Sequence, residues 1–144
     1  MAACDRVDGV ADGLIENPRA CRFDPSVLVC KGADAADCLP RAQVDALQKI
    51  YEGPRNPRTQ EPLFVGQPPG TEAVPGGWSA WITPANPARA IQFMFGNSYY
   101  GAAVFEDPKW DFRMLDFDRD VQIGDAKAGP VLNATSPDLR SFRA

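Results

Sequence analysis

A clean helical period appears in one long stretch of this chain. Between Arg41 and Glu52, Val44, Leu47 and Tyr51 recur at i, i+3 and i+7, and Ala46 and Ile50 widen the apolar stripe. Pro40 sits where a helix can begin and Gly53-Pro54 where it must stop, so the segment 41–53 is predicted as an amphipathic helix. Residues 54–77 carry Pro54, Pro57, Pro62, Pro68-Pro69-Gly70 and Pro75-Gly76-Gly77, which predicts an ordered surface loop with one short strand at Leu63-Phe64-Val65. The remainder, 78–144, is aromatic-rich. Trp78 to Ile82 opens an apolar section. Ala88 to Val104 predicts one helix, or two short ones broken near Gly96-Asn97, and Asp107-Pro108 breaks the chain again. Trp110 to Val121 alternates weakly and leads into a polar turn. Asn133 to Arg143 predicts a short helix capped at Ser136-Pro137-Asp138. With no internal repeat, residues 1–144 form a single expected domain of α+β class, loop-rich, with short helices and a small antiparallel sheet.

Composition narrows the picture. Glycine and proline together make 26 of 144 residues, rich for a globular chain but below a low-complexity one. The net charge of −4 and pI near 4.8 leave no basic footprint for nucleic acid or for an anionic membrane. No apolar window is long enough to span a bilayer. Met1-Ala2-Ala3 runs into Cys4 without the charged and apolar regions of a signal peptide, so the sequence reads as trimmed or cut from a longer chain. There is no histidine at all, which removes Ser-His-Asp and Cys-His mechanisms from this chain alone. Ser79 and Ser98 each show half of a nucleophile elbow, lack its second glycine, and read as ordinary serines.

Residues 1–40 hold all four cysteines. Three pairings are possible, and the local one joins Cys4 to Cys21 and Cys30 to Cys38. Zinc is the rival use, but the spacings fit no common zinc module and no histidine completes a site. Disulfides are the better account, and they imply a periplasmic or extracellular home. The same region carries three carboxylates, Asp5, Asp8 and Asp12, interleaved with Gly9 and Gly13. Hard cations such as calcium take six to eight oxygens, and glycines let a backbone bend its carbonyls inward. The spacing is not that of an EF-hand, and a solvated turn capped by its own aspartates explains it equally well. A second acidic run, Asp116 to Asp120, fits an edge strand or turn with a solvated face. The aromatics Phe93, Phe95, Tyr99 and Tyr100, with Trp78 and Trp81, read mainly as core, with one or two left for a pocket. Asn133-Ala134-Thr135 matches a glycosylation sequon, common by chance.

The order of these features resembles the tannase and feruloyl esterase family across essentially the whole chain. The residues that carry it run from Cys4-Asp5-x-x-Asp8-Gly9-Val10-x-Asp12-Gly13-Leu14-Ile15 through Asn17-Pro18 and Phe23-Asp24-Pro25 to the helix ending Ile50-Tyr51-x-Gly53-Pro54. Pro69-Gly70-x-Glu72, Trp78-x-x-Trp81-Ile82, Asp107-Pro108-x-Trp110-Asp111 and Leu132-Asn133-Ala134-Thr135-x-Pro137-Asp138-Leu139 continue it. The resemblance implies the lid of an α/β-hydrolase, without the serine elbow that precedes it or the aspartate and histidine that follow it. It also implies calcium bound by the Asp5, Asp8 and Asp12 side chains and the Val10 and Leu14 carbonyls, in a structural role. Cys4–Cys21 and Cys30–Cys38 would be the lid's disulfides. Phe93, Phe95, Tyr99 and Tyr100 would contact the aromatic-acid half of an ester substrate. The implied partner is the catalytic domain of a secreted or periplasmic parent, and an exposed lid face would favour self-association. The alternative is an independent secreted, calcium-stabilised module that binds aromatic ligands or a partner protein.

Overall fold

A computed structural model of the chain describes residues 3–143. The reading of Met1 and Ala2 lies outside them. The fold is loop-rich and mostly helical, and it divides into two compact units, Met1–Gln92 and Phe93–Ala144. Among the described residues no helix is long and apolar enough to cross a membrane.

The first unit starts with short 3-10 turns that the sequence writes in one recurring way. Asn17-Pro18, Asp24-Pro25 and Asn86-Pro87 each place a side-chain acceptor before a proline. Proline pre-sets φ for the first turn position, and the Asx oxygen accepts the amide two residues on. The turns are Pro18–Ala20, Pro25–Leu28 and Pro87–Arg89. Two disulfides, Cys4–Cys21 and Cys30–Cys38, tie the opening segment down. Flanking the second, Cys30 N–H donates to Leu39 O at 3.0 Å and Leu39 N–H to Leu28 O at 2.8 Å, pairing Val29 with Leu39.

Helix α1 spans Arg41–Glu52, as its period predicts. Val44, 1% exposed, is its deepest residue, and the helix packs against the Pro25–Leu28 turn. Gly53 ends it at φ +77°, a left-handed conformation that costs glycine nothing. The loop that follows is pinned rather than free. Asn56, buried, accepts the amides of Arg58 and Thr59 at 2.9 and 3.0 Å, and Leu63 N–H donates to Pro54 O at 3.0 Å. The chain then crosses the end of α1 so closely that a Cβ on Gly66 would overlap the Tyr51 carbonyl. A one-turn helix α2, Trp78–Trp81, closes the unit's main core with Trp78 buried.

The second unit begins within α3, Ile91–Ser98, which runs without a break into a wider π-type turn, Tyr99–Val104. Of the two readings of this stretch, one helix or two short ones broken near Gly96-Asn97, the unbroken one holds from Ile91 onward. A 3-10 turn follows at Phe112–Met114, and then α4, Arg119–Leu132. The polar turn expected after Val121 is therefore the middle of a helix. The expected helix over Asn133 to Arg143 shrinks to a single capped turn near its end. Gly124 lets α4 approach the Tyr99 ring, since a Cβ there would stand 3.0 Å from the phenol oxygen. Tyr100, Phe105 and Trp110 lie near-parallel, with centroids 5.5 to 6.3 Å apart, and Val104 is buried.

In place of the expected antiparallel sheet, the described residues hold two isolated bridges, Val29 with Leu39 in parallel sense and Arg55 with Pro62 in antiparallel sense. Proline removes ladder donors. Leu63-Phe64-Val65, between Pro62 and Gly66, is irregular backbone laid against the end of α1.

The crossing at Gly66 generates a test. Gly66→Ala should cost about 3 kcal/mol or more in urea unfolding, because backbone rather than a flexible side chain fills the space. Gly32→Ala, which meets nothing within 4 Å, should stay within about 0.5 kcal/mol of the parent.

Candidate functional site

The acidic loop is organised by its own carboxylates. Asp5 Oδ1 accepts the Gly13 amide at 2.7 Å and so closes a ring of backbone eight residues wide. Asp8 Oδ1 takes the Val10 amide at 2.9 Å, and Asp12 Oδ1 takes the Leu14 amide at 3.0 Å. Gly9 and Gly13 turn the chain at φ +95° and +80°. Each carboxylate thus gives one oxygen to a turn, and none of the three joins an ion pair among the described residues. Among those residues no group of three or more acidic, His or Cys side chains is gathered closely enough to hold a metal ion. The donors are all oxygens, the chemistry that calcium prefers. The Cys4–Cys21 bridge anchors the loop's first residue, with both cysteines buried.

Beneath the loop lies a cavity of about 260 Å³, lined by Ile15, Phe23, Leu28 and Leu47 with the bridge as one wall. Tyr51 and Glu72 meet at its edge. The Tyr51 hydroxyl donates to Glu72 Oε1, and the Gly70 amide donates to both Glu72 oxygens, at 3.1 and 2.9 Å. Burial, then the bonded Glu72 carboxylate, pushes the Tyr51 hydroxyl well above the usual phenol range. This pairing was not anticipated as an interaction from sequence. Its only trace there is the motif Pro69-Gly70-x-Glu72, which gives no hint of a tyrosine twenty-one residues earlier.

The four aromatics expected to touch substrate do not share one role. Tyr100 is stacked against Phe105 and Trp110, and Tyr99 meets it edge-on at 5.0 Å. Phe93 meets Phe112 edge-on at 5.2 Å, while Phe95 is largely exposed. Trp81 is half-exposed and Trp78 is core.

The second acidic run departs from the solvated face expected of it. Asp120 is 1% exposed, at the first turn of α4. Its carboxylate accepts Arg119 Nε–H at 2.7 Å and the Asp116 amide at 2.9 Å, and Asp116 in turn caps the amides of Asp118 and Arg119. The Arg119 bond above all, helped by the Asp116 amide, holds the Asp120 carboxyl below the usual carboxylate range against the opposing effect of burial. The run is a helix start closing on itself, which alternation with Phe117 and Val121 disguises as a strand.

The family model described as tannase and feruloyl esterase matches residues 1–144. The chain belongs to the tannase and feruloyl esterase family. An esterase of Xanthomonas campestris pv. campestris, itself named as uncharacterized, is 40% identical over all of this chain, which covers 27% of that relative. The mono(2-hydroxyethyl) terephthalate hydrolase of Piscinibacter sakaiensis is 35% identical over 99% of the chain and 30% of its own length. The crystal structure of an esterase from Aspergillus oryzae superposes with a TM-score of 0.73 at 25% identity, over 99% of this chain and 26% of that one. The chain therefore spans about a quarter of the length of these tannase-family relatives. The match to them takes in the disulfide segment and the aromatic segment alike.

Asp120 provides a pH test. Its folded pKa is depressed, so its contribution is complete above the unfolded value of about 3.9 and is lost as pH falls through the lower folded value. Thermal melts should show the parent losing stability below about pH 4. Asp120→Asn should melt lower at neutral pH, yet lose less on acidification.

Proposed function

We propose that this chain is the substrate-covering lid of a secreted carboxylic ester hydrolase acting on aromatic-acid esters, and that it does not hydrolyse esters by itself. One observation carries the reading: all 144 residues match an esterase family, they span about a quarter of the relatives' length, and they contain no histidine. A serine esterase needs a base beside its nucleophile, and this segment has none of the usual kind to offer. What it can offer is a shaped cover. A lid excludes water from the reacting centre and holds the substrate in register with it. Its partner is an α/β-hydrolase catalytic domain of the same parent. Phe95, the most exposed of the four aromatics, is the best placed to meet an aromatic acid, while Phe93, Tyr99 and Tyr100 are each half-buried against another ring. Two disulfides support a secreted or periplasmic home.

The opening loop would hold one structural calcium ion, through the Asp5, Asp8 and Asp12 carboxylates and the Val10 and Leu14 carbonyls. Support comes from the family resemblance and from three carboxylates within eight residues of sequence, none of them in an ion pair among the described residues, although the three side chains are not gathered round one point. Bound there, a divalent cation offsets that charge and fixes the loop; it activates no water. The loop's own residues contribute shape, with Gly9 and Gly13 allowing the reversals and Cys4 anchoring the entry.

The rival reading, an independent module for aromatic ligands, draws on the apolar cavity beside Tyr51. Hydrolysis of methyl ferulate and direct binding separate the two. The isolated chain should give no turnover above the uncatalysed rate, and saturable turnover lost on substituting a residue of this chain would overturn the lid reading. Tight binding of a free aromatic acid, displaced by filling the cavity through Leu47→Trp, would favour the independent module. For the metal, calcium should raise the melting temperature by about 5 °C or more, a chelator should reverse it, and Asp8→Ala should abolish the response. A melting curve indifferent to both additions would leave the loop a solvated turn.

A further inference from the structure

The stretch that leaves α4 presents apolar side chains that this chain does not cover. Val131 and Leu132, at the end of the helix, are 84% and 63% exposed, and Leu139 and Phe142 are 62% and 88% exposed. Single exposed apolar residues are ordinary; Phe112, Met114, Phe117 and Ile123 lie as close together but are 38–60% exposed, whereas these four stand at 62–88%. The segment that carries the last two is also locally ordered. Ser136 Oγ accepts the Asp138 amide at 3.2 Å, and Asp138 Oδ1 accepts the Arg140 amide at 3.1 Å. The Arg140 guanidinium grips the same carboxylate through Nε and Nη2, at 2.8 and 2.6 Å. One turn then closes, with Phe142 N–H donating to Leu139 O at 3.1 Å and Arg143 N–H to Leu139 O at 3.2 Å.

These local bonds need no burial to form, so they hold the turn in place before anything covers it. Residues three apart in such a turn fall on one side, which puts the Leu139 and Phe142 side chains together. The nearest opposite charges, Asp138 and Arg140, already neutralise each other. A preorganised apolar pair with its charges tied back loses little further freedom on docking, which is how interface anchors work.

We propose that Leu139 and Phe142, with Val131 and Leu132 at the helix end, are the anchor by which this chain packs onto the hydrolase domain of a tannase-family esterase. The inference rests on the lid reading and adds the surface to it. The occupant follows from the comparison: relatives contain nearly all of this chain as about a quarter of their length, so in them this segment is continuous with a much larger body of protein. The complementary face is a nonpolar groove that takes a leucine and a phenyl ring one turn apart.

Two arms test it. In the 144-residue chain alone, Leu139→Ser with Phe142→Ser should leave the melting temperature within about 2 °C of the parent, since an exposed pair supports nothing here. A fall of more than about 5 °C would mean that the rings pack within this chain, and would overturn the assignment whatever the second arm shows. In the second arm the chain replaces the matching segment of the Aspergillus oryzae esterase. There the same double substitution should lower the melting temperature by at least about 5 °C and expose the junction to limited proteolysis. A graft that hydrolyses its ester and is indifferent to the substitutions would end the docking proposal and leave the lid reading standing. A graft destabilised by them, folded but inactive without them, would support the docking and count against the lid reading. A parent chain that dimerises, with the dimer abolished by Phe142→Ser and the graft unaffected, would assign the face to a second copy and overturn the proposal.

Discussion

The crosslink between Cys4 and Cys21 holds together a stretch of chain that burial alone would not. Among the described residues of the first forty, the buried ones are the two cysteines of this bridge and Pro25, with the rest half-buried or exposed. A segment that removes so little apolar surface from water cannot offset the entropy of ordering its backbone. Closing a loop of this length is worth about 3 kcal/mol in the chain-entropy account, because the unfolded chain loses freedom that the folded one never had. With that constraint in place, small local bonds become sufficient. The Asx caps at Asn17 and Asp24, the ring closed by Asp5 and the pairing of Val29 with Leu39 each fix a turn, and α1 has a surface to lie on.

Further along, backbone proximity replaces covalent linkage. Gly53 and Gly66 let the proline-rich loop lie directly across the end of α1, and Gln67 N–H reaches Ile50 O at 2.9 Å. The same crossing carries the chain to Gly70 and Glu72, where the Tyr51 hydroxyl meets it. In the second unit the organising element is aromatic. Tyr100, Phe105 and Trp110 stack beside Val104, α4 packs on the turn that carries Tyr100, and Lys127 reaches from α4 to the Val104 carbonyl at 2.7 Å. The outcome is two small bodies with thin cores and a high proportion of exposed apolar side chains, in a family whose matched relatives are about four times longer. A cover that meets its substrate and a larger domain would need such surfaces, whereas a free-standing domain of this size would be expected to bury more of them.

Acidic residues illustrate where local pattern misleads. Asp5, Asp8 and Asp12 cap turns, as short polar side chains before glycines are expected to do, and their spacing was consistent with that role and with metal binding alike. Asp120 has the same chemistry and looks, in sequence, like a member of a solvated run. It is instead among the most buried residues, because the helix beginning at Arg119 turns it inward beneath its neighbour's guanidinium. The period of α1 was legible because one face is buried and the other is not. The period of α4 was not, since Gly124, Gly129 and Pro130 break the pattern and its contacts are made through small residues against tyrosine rings. The sheet expected around Leu63 failed for a related reason: apolar character in three residues identifies burial or exposure to a partner, not the presence of a neighbouring strand.

From residue order alone come the α1 helix, the proline-coded turns, the oxidised cysteines, the family and the absence of a histidine base. Each depends on chemistry confined to a few adjacent residues or on a motif long enough to be specific. Tertiary structure decided the rest: that Tyr51 meets Glu72, that Asp120 is buried, that the strands do not pair, and that Leu139 and Phe142 face outward. Those outcomes are set by which distant segments come within bonding reach, and a linear pattern holds no distances between them.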